Sequence, residues 1–338
     1  MPGKQPIPIA DLLKHPKVLK VTEDVNAELL ERRHYSPLVC SALSQNFSRL
    51  QPVNKFTFTA DKEAAKQLPD IINNPVQKIE GLKTADAALF QTYQQRRHIG
   101  IVFSGGPAPG GHNVIAGLYD AVKKANPQSR IYGFLIGPDG IIENETLELN
   151  DDLVDAYRNL GGFTMIKTGR TKIDTPDKME RCRETCKKLD LDALVIVGGD
   201  DSNTNAAFLA QEMVADGVQV IGVPKTIDGD IQVRDDNGSV LCAMSFGFHT
   251  AARAFANSIS NLCTDSSSDV KYWHICKVMG RVASHLALEV ALQTHANMTL
   301  IGEDLADYTD QRRLERAAAD NTIDYSAYGI TLRHLSRV

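Results

Sequence analysis

Two short acidic strings carry the chemistry of this chain. Gly198-Gly199-Asp200-Asp201-Ser202 and Pro224-Lys225-Thr226-Ile227-Asp228-Gly229-Asp230 each follow an apolar run of β type, Ala193 to Val197 and Val218 to Val223. Such runs read as parallel strands, and ligands of open α/β sheets bind beyond the carboxyl ends of their strands. The glycines let a phosphate approach the backbone, whereas Asp200, Asp201, Asp228 and Asp230 would repel it unless a divalent cation lay between. Magnesium is the implied cation, because it takes oxygen ligands and keeps substrate phosphates in its shell. Asp228 and Asp230 point to the same side of an extended segment, and one of them could take a proton from an attacking hydroxyl.

A glycine-rich string lies upstream. Ile99 to Phe103 reads as a buried parallel strand, and Ser104-Gly105-Gly106-Pro107-Ala108-Pro109-Gly110-Gly111-His112-Asn113 follows as a turn opening a helix. On that helix Val114, Leu118 and Val122 have the spacing of a core-facing stripe. Backbone N–H groups of such a turn, helped by the helix N-terminus, can hold an anion. The string lacks the Lys-Ser/Thr ending of a Walker P-loop and does not spell GxGxxG, so a tight connection would also account for it. Lys167-Thr168-Gly169-Arg170-Thr171-Lys172 reads either as a solvated basic loop or as a phosphate clamp.

GGDD followed by PKTIDGD resembles the signature of pyrophosphate-dependent 6-phosphofructokinases, whose ATP-using relatives typically have GGDG and PGTIDND. GGPAPGGHN resembles the phosphate-binding turn of the same family, and the resemblance is close over residues 98 to 304. It implies a Rossmann-like parallel sheet flanked by helices. The implied reaction is Mg2+-dependent, reversible transfer of a phosphoryl group between pyrophosphate and the 1-hydroxyl of fructose 6-phosphate.

By this resemblance Gly105, Gly106, Arg170 and Ser202 hold the phosphoryl donor and Asp200 binds magnesium. Asp201 stands where ATP users have glycine, and its carboxylate would repel the α-phosphate of a nucleotide. Lys225, also in place of a glycine, would meet the phosphoryl groups during transfer. Asp228 is the implied general base, with Thr226, Ile227 and Asp230 placing substrate and metal. KYW followed by VMGR and ASH resembles the family's sugar-phosphate segment. There Met279, Gly280 and Arg281 are implied to contact fructose 6-phosphate, and Lys271 and Tyr272 to reach a site shared between subunits. His285 and His295 read as packing or capping residues, and His249 and Arg253 as structural. The rivals are an ATP-dependent kinase of the same fold, opposed by Asp201 and Lys225, and a non-catalytic regulatory subunit, opposed by the retained Asp200, Asp228 and Asp230.

The remaining chain sets the frame. Its 338 residues are 43% hydrophobic and 23% charged, a soluble globular composition. A net charge of −5 gives no broad attraction to nucleic acid or anionic membrane. The N-terminus has no apolar core of signal-peptide length, and the reading is a cytoplasmic protein. Six scattered cysteines read as reduced, mostly buried thiols. Residues 1–95 form an extension of short helices, best developed at 60–68 and 85–95, and 96–305 the α/β domain. Residues 306–338 begin a connection onward, with helices expected at 311–319 and from 332. Within the domain the pattern predicts a strand over 130–136, helices over 151–160, 177–189 and 246–262, a loop from Cys263, and strands over 271–281 and from Thr299. Family members continue to a Pro-Glu-Gly motif and a basic sugar-phosphate motif, neither of which occurs here. The expectation is therefore a fragment of a longer protein that forms a homodimer or higher homo-oligomer.

Overall fold

The computed structural model describes residues 31–32, 34–280 and 283–305. Arg281 and the helices expected at 311–319 and from 332 lie outside the described residues. Within them two compact units separate: the described chain through Thr226 together with Ile231–Phe246, and Ile227–Asp230 together with the described chain from Gly247.

The first unit begins with an antiparallel pair, β1 (Phe47–Pro52) against β2 (Gln77–Leu82), with Phe47 opposite Leu82. Helices α1 (Lys62–Gln67) and α2 (Ala87–Gln94) lie where the sequence predicts them, each started by an aspartate, Asp61 or Asp86, that accepts first-turn N–H groups. The strand pair is new relative to the sequence reading. FSRLQP and QKIEGL have no clean apolar alternation to announce them, because neither strand has a fully buried face. Instead Phe47 packs edge-on against Phe90 and Tyr93 of α2, with ring centroids 6.3 and 5.3 Å away.

The central sheet is built from β3 (His98–Phe103), β4 (Arg130–Phe134), β5 (Thr146–Glu148), β6 (Ala193–Gly198), β7 (Gln219–Thr226) and, at its edge, Phe246–Gly247. Spatial order runs from that edge through β7, β6, β3, β4 to β5. The pairs β3–β4, β3–β6 and β6–β7 are parallel, and β4–β5 is antiparallel. ALVIVG of β6 is buried at every position, as a parallel strand covered on both faces must be. From β3 the chain moves to β4 on one side and later returns to β6 on the other, so the strand order reverses between β3 and β6. Ligands of open α/β sheets bind outside such a reversal.

Helices α3 (Gly111–Ala125), α4 (Pro138–Ile142), α5 (Asp151–Tyr157), α6 (Pro176–Lys188) and α7 (Asp200–Met213) complete the described helices that accompany this sheet. Helix α3 buries His112, Ile115, Ala116 and Tyr119, while Val114, Leu118 and Val122 are half-buried. The inward face is thus one position away from the predicted stripe. Two polar-tipped residues of the core each find a partner there: Tyr119 Oη donates to Asp151 Oδ1 at 2.7 Å, and His112 Nε2 accepts the Met165 N–H at 3.0 Å, while His112 Nδ1 is buried without one among the described residues. Strand β4 stops at Phe134 rather than Ile136. Ile136 (φ 61°) and Gly137 (φ 84°) turn the chain into α4, and a Cβ on Gly137 would meet the Gly169 nitrogen at 2.2 Å.

In the second unit α8 (Phe248–Asp269) runs through the stretch from Cys263 read as a loop. Thr264 and Ser268 fold their hydroxyls back onto the carbonyls of Ser260 and Thr264, which lets a polar stretch stay helical. Helices α9 (His285–Thr294) and α10 (Gly302–Leu305) follow. The strands predicted over 271–281 and from Thr299 are not formed among the described residues: 271–280 has no ladder partner, and Gly302–Leu305 is helical. Of the six thiols only Cys182 and Cys186 are buried, both on α6, where burial pushes each up to about 12. Cys40 and Cys276 are exposed, contrary to the expectation for most of them.

Candidate active site

The parallel register that joins Phe103 to Val197 and Gly198 to Pro224 aligns the ends of β3, β6 and β7. Ser104, Gly199 and Lys225 therefore emerge side by side from three neighbouring strands. The Ser104 N–H donates to Val197 O at 2.8 Å, and the Gly105 N–H donates to Gly169 O at 2.8 Å. Thr168 Oγ1 donates back to Gly105 O at 2.8 Å. The basic loop is thus laid along the glycine-rich turn by hydrogen bonds in both directions.

Two cations converge on the dipeptide Gly105-Gly106. The Lys225 side chain points into the turn from a residue only 5% exposed, and its Nζ donates to Gly106 O at 2.5 Å. The other is Arg170: a Cβ placed on Gly106 would lie 3.3 Å from Arg170 Nη2. The 3.3 Å approach at Gly106 is tight for a Cβ, whereas at Gly105 a Cβ would make an ordinary 3.6 Å contact with Lys225 Nζ and it is the φ of 88° that favours glycine. Beneath them Phe163 stacks on Phe103, with centroids 4.1 Å apart and planes 17° from parallel. Its ring also lies 5.7 Å from Lys225 Nζ, within cation–π range.

Asp200 and Asp201 open α7 behind Gly199, and both are exposed. Carboxylates there face the partial positive charge of the helix N-terminus. Asp201 Oδ1 is 3.7 Å from Lys172 Nζ, a pair that water screens because both side chains are more than half exposed. Ser202, expected on the donor, is buried and donates to Ser104 Oγ at 2.8 Å, linking the starts of the two loops from inside. Among the described residues no three His, Cys, Asp or Glu side chains gather in a metal-holding cluster. Magnesium bound through one or two carboxylates and substrate phosphates needs no such cluster, and the exposed oxygens of Asp200 fit that mode.

Thr226 closes β7 half-buried, and its carbonyl accepts from Ser245 Oγ at 3.2 Å. In the second unit Ile227, Asp228 and Asp230 are half-buried around Gly229, which is buried at φ 73°. Lys271, Tyr272, Met279 and Gly280 are exposed, with the Lys271 ammonium 5.4 Å from the neighbouring Tyr272 ring. His295 caps α9 in the left-handed conformation, and His285 begins that helix.

Four residues of the donor side were passed over in the sequence. Thr168 and Lys172 lie within the basic string, but only their contacts give them roles. Phe163 follows the Gly161-Gly162 break, where an aromatic could have been flagged as a wall of the turn. A Cβ on Gly111 would lie 2.1 Å from that ring, so the glycine permits the contact. His112 stands in the glycine-rich string itself; burial holds it down to about 4, and it is a neutral acceptor for the Met165 N–H.

The phosphofructokinase family model matches residues 98–323 of this chain. A pyrophosphate--fructose 6-phosphate 1-phosphotransferase of Porphyromonas gingivalis is 52% identical over 210 residues, covering 62% of this chain and 37% of that protein. Subunit beta 1 of the corresponding protein of Arabidopsis thaliana is 50% identical over 210 residues, covering 62% of this chain and 36% of that one. The chain thus spans little more than a third of the length of these curated relatives. The crystal structure of a pyrophosphate-dependent phosphofructokinase from Marinobacter aquaeolei shares the fold, with a TM-score of 0.53 at 24% identity over 61% of this chain and 53% of that one.

Proposed function

The chain belongs to the phosphofructokinase family, and we propose that it carries the phosphoryl-donor site of a pyrophosphate-dependent 6-phosphofructokinase. The supporting observation is the Lys225 ammonium, buried and seated on the Gly106 carbonyl with the Arg170 guanidinium against the same glycine. Charge in phosphoryl transfer spreads over the equatorial oxygens of the moving group, so catalysis is mainly positioning and electrostatics. A lysine already fixed by a carbonyl and an aromatic ring spends little on reorganisation as that charge develops.

In this reading Gly105, Gly106, Arg170 and Lys225 hold pyrophosphate. Magnesium, when bound through Asp200, draws charge from the phosphate oxygens. Asp228 takes the proton of the sugar 1-hydroxyl, and Thr226, Ile227 and Asp230 orient substrate and metal. Fructose 1,6-bisphosphate and phosphate result, and the reaction runs both ways because the anhydride broken and the ester formed are of comparable energy. Met279, Gly280, Arg281, Lys271 and Tyr272 are assigned to fructose 6-phosphate by resemblance. The protein is read as a cytoplasmic homo-oligomer; no helix among the described residues is long and apolar enough to cross a membrane.

Asp201 sets the choice of donor. It lies one turn ahead of Asn205 on the face of α7 whose Asn205, Phe208 and Glu212 line a cleft of about 520 Å3. A nucleotide held at the glycine turn would have to bring its α-phosphate past that carboxylate.

The test is phosphorylation of fructose 6-phosphate with magnesium, offering pyrophosphate and ATP in parallel to a parent chain extended to the length of its curated relatives and to its Asp228→Asn and Asp201→Gly variants. Turnover with pyrophosphate, cut roughly 100- to 10,000-fold in Asp228→Asn, and ATP use gained in Asp201→Gly, is the expected result. ATP use by the parent would remove the donor assignment, and silence with both donors would favour a regulatory subunit.

A further inference from the structure

The acidic turn Asp228-Gly229-Asp230 needs a restraint. Two carboxylates flank a glycine at φ 73°, and a buried peptide carbonyl must find a donor. Within the second unit the Gly229 oxygen lies 2.7 Å from His285 Nδ1, 56 positions away in sequence. A carbonyl oxygen only accepts, so Nδ1 carries the proton, as it does in one neutral tautomer and in the imidazolium.

The ring is presented by a fixed support. His285 is the first residue of α9, which is anchored by Leu286 and Val290, 0% and 3% exposed. Just before it, the Ser284 N–H donates to Glu303 Oε1 at 2.9 Å, and Ser284 Oγ accepts the Gly302 N–H at 3.0 Å. Hydrogen bonds from Ser284 hold the Glu303 carboxyl below the usual carboxylate range. The imidazole is therefore held at its helix while its edge holds the turn.

We propose that His285 is the positioning residue of this acidic turn, fixing the Gly229 peptide and through it the direction of the Asp228 carboxylate. The inference rests on the proposed role of Asp228 as base. His285 does not touch the reacting atoms in this account; it narrows the orientations open to the group that does. The donor-side contacts of Gly105, Gly106, Arg170 and Lys225 do not involve it, so its loss falls on turnover and not on pyrophosphate binding.

The experiment compares the full chain with His285→Ala and His285→Asn, whose side-chain amide nitrogen can occupy the place of Nδ1. Amide hydrogen exchange is followed over residues 227–231 together with pyrophosphate-dependent kinetics. Exchange there is expected to quicken in His285→Ala and to return to the parent rate in His285→Asn. In His285→Ala kcat should fall roughly 10- to 100-fold, as small misplacements of a catalytic group do, with KM for pyrophosphate within about twofold. Unchanged exchange in His285→Ala, or equal damage in Ala and Asn, overturns the proposal. A parent without turnover would defeat the functional reading alone, because exchange still decides whether His285 holds the turn. Should His285→Ala not fold, His285→Leu replaces it, keeping bulk without the donor.

Discussion

In the turn after β3, Ser104 and Gly105 donate to Val197 and Gly169, and the lysine aimed at Gly106 is 5% exposed. In the segment 271–280, Tyr272, Trp273, Ile275 and Met279 are each more than 60% exposed, and no described strand pairs with them. Both stretches carry motif residues, yet only the first has them fixed by neighbouring backbone. A parallel ladder does that work: once β3, β6 and β7 are in register, the residues that follow each strand have few places to go. The second stretch has the composition of a strand without a partner, and composition alone does not build one.

Removing the cation at the ordered end should cost most. Lys225→Met is expected to lower kcat/KM for pyrophosphate roughly 100- to 1,000-fold, the scale of losing one preorganised electrostatic contact. Steady-state assays beside Lys271→Met, where the side chain is exposed, would sharpen the contrast. Equal losses would break it.

Next in size is a pH effect confined to the ordered region. His112 is 1% exposed and held down to about 4, below the ordinary value of 6.5, chiefly by burial. Between those values the unfolded chain takes up a proton that the folded chain refuses. Stability should therefore fall as pH drops from about 6.5 to 4, by about 3 kcal/mol in all. Denaturant melts across that window check this, and His112→Gln should flatten the slope.

Smaller still is a steric contrast. Gly111→Ala drives a Cβ to 2.1 Å from the Phe163 ring and should destabilise by about 1–3 kcal/mol. Trp273→Ser, at a residue 61% exposed, should stay within about 0.5 kcal/mol. Thermal melts of the two variants would show whether 271–280 is packed more firmly than its exposure implies.

The same contrast explains what was legible in the sequence. Apolar runs bounded by glycine and aspartate announced β3, β6 and β7, and with them the places of Gly105, Gly106, Asp200 and Lys225. Local pattern failed where tertiary contact decided. The inward face of α3 includes His112 and Tyr119, which meet Met165 and Asp151 far away in sequence, and α8 continues through Thr264 and Ser268 because their hydroxyls bond within the helix. Strands β1 and β2 lacked alternation since a few aromatic contacts from α2 take the place of a buried face. Among site residues, Thr168 becomes visible only when loops far apart in sequence lie side by side.

The reversal between β3 and β6 also bears on how the chain is made. Lys225 meets Gly106 across 119 positions, and Ile99 pairs with Ala193. At ordinary rates of translation about 5–20 s separate the emergence of β3 from that of β6. Until β6 emerges Ile101 can pair only with Gly133 of β4, Val102 and Phe103 have no ladder partner among the described residues, and such late, non-local pairing is slow as well. The nascent chain thus carries an adhesive strand edge while the ribosome works through the α3 to α6 stretch, so a chaperone that shields it then would raise the yield of folded protein without touching the finished site.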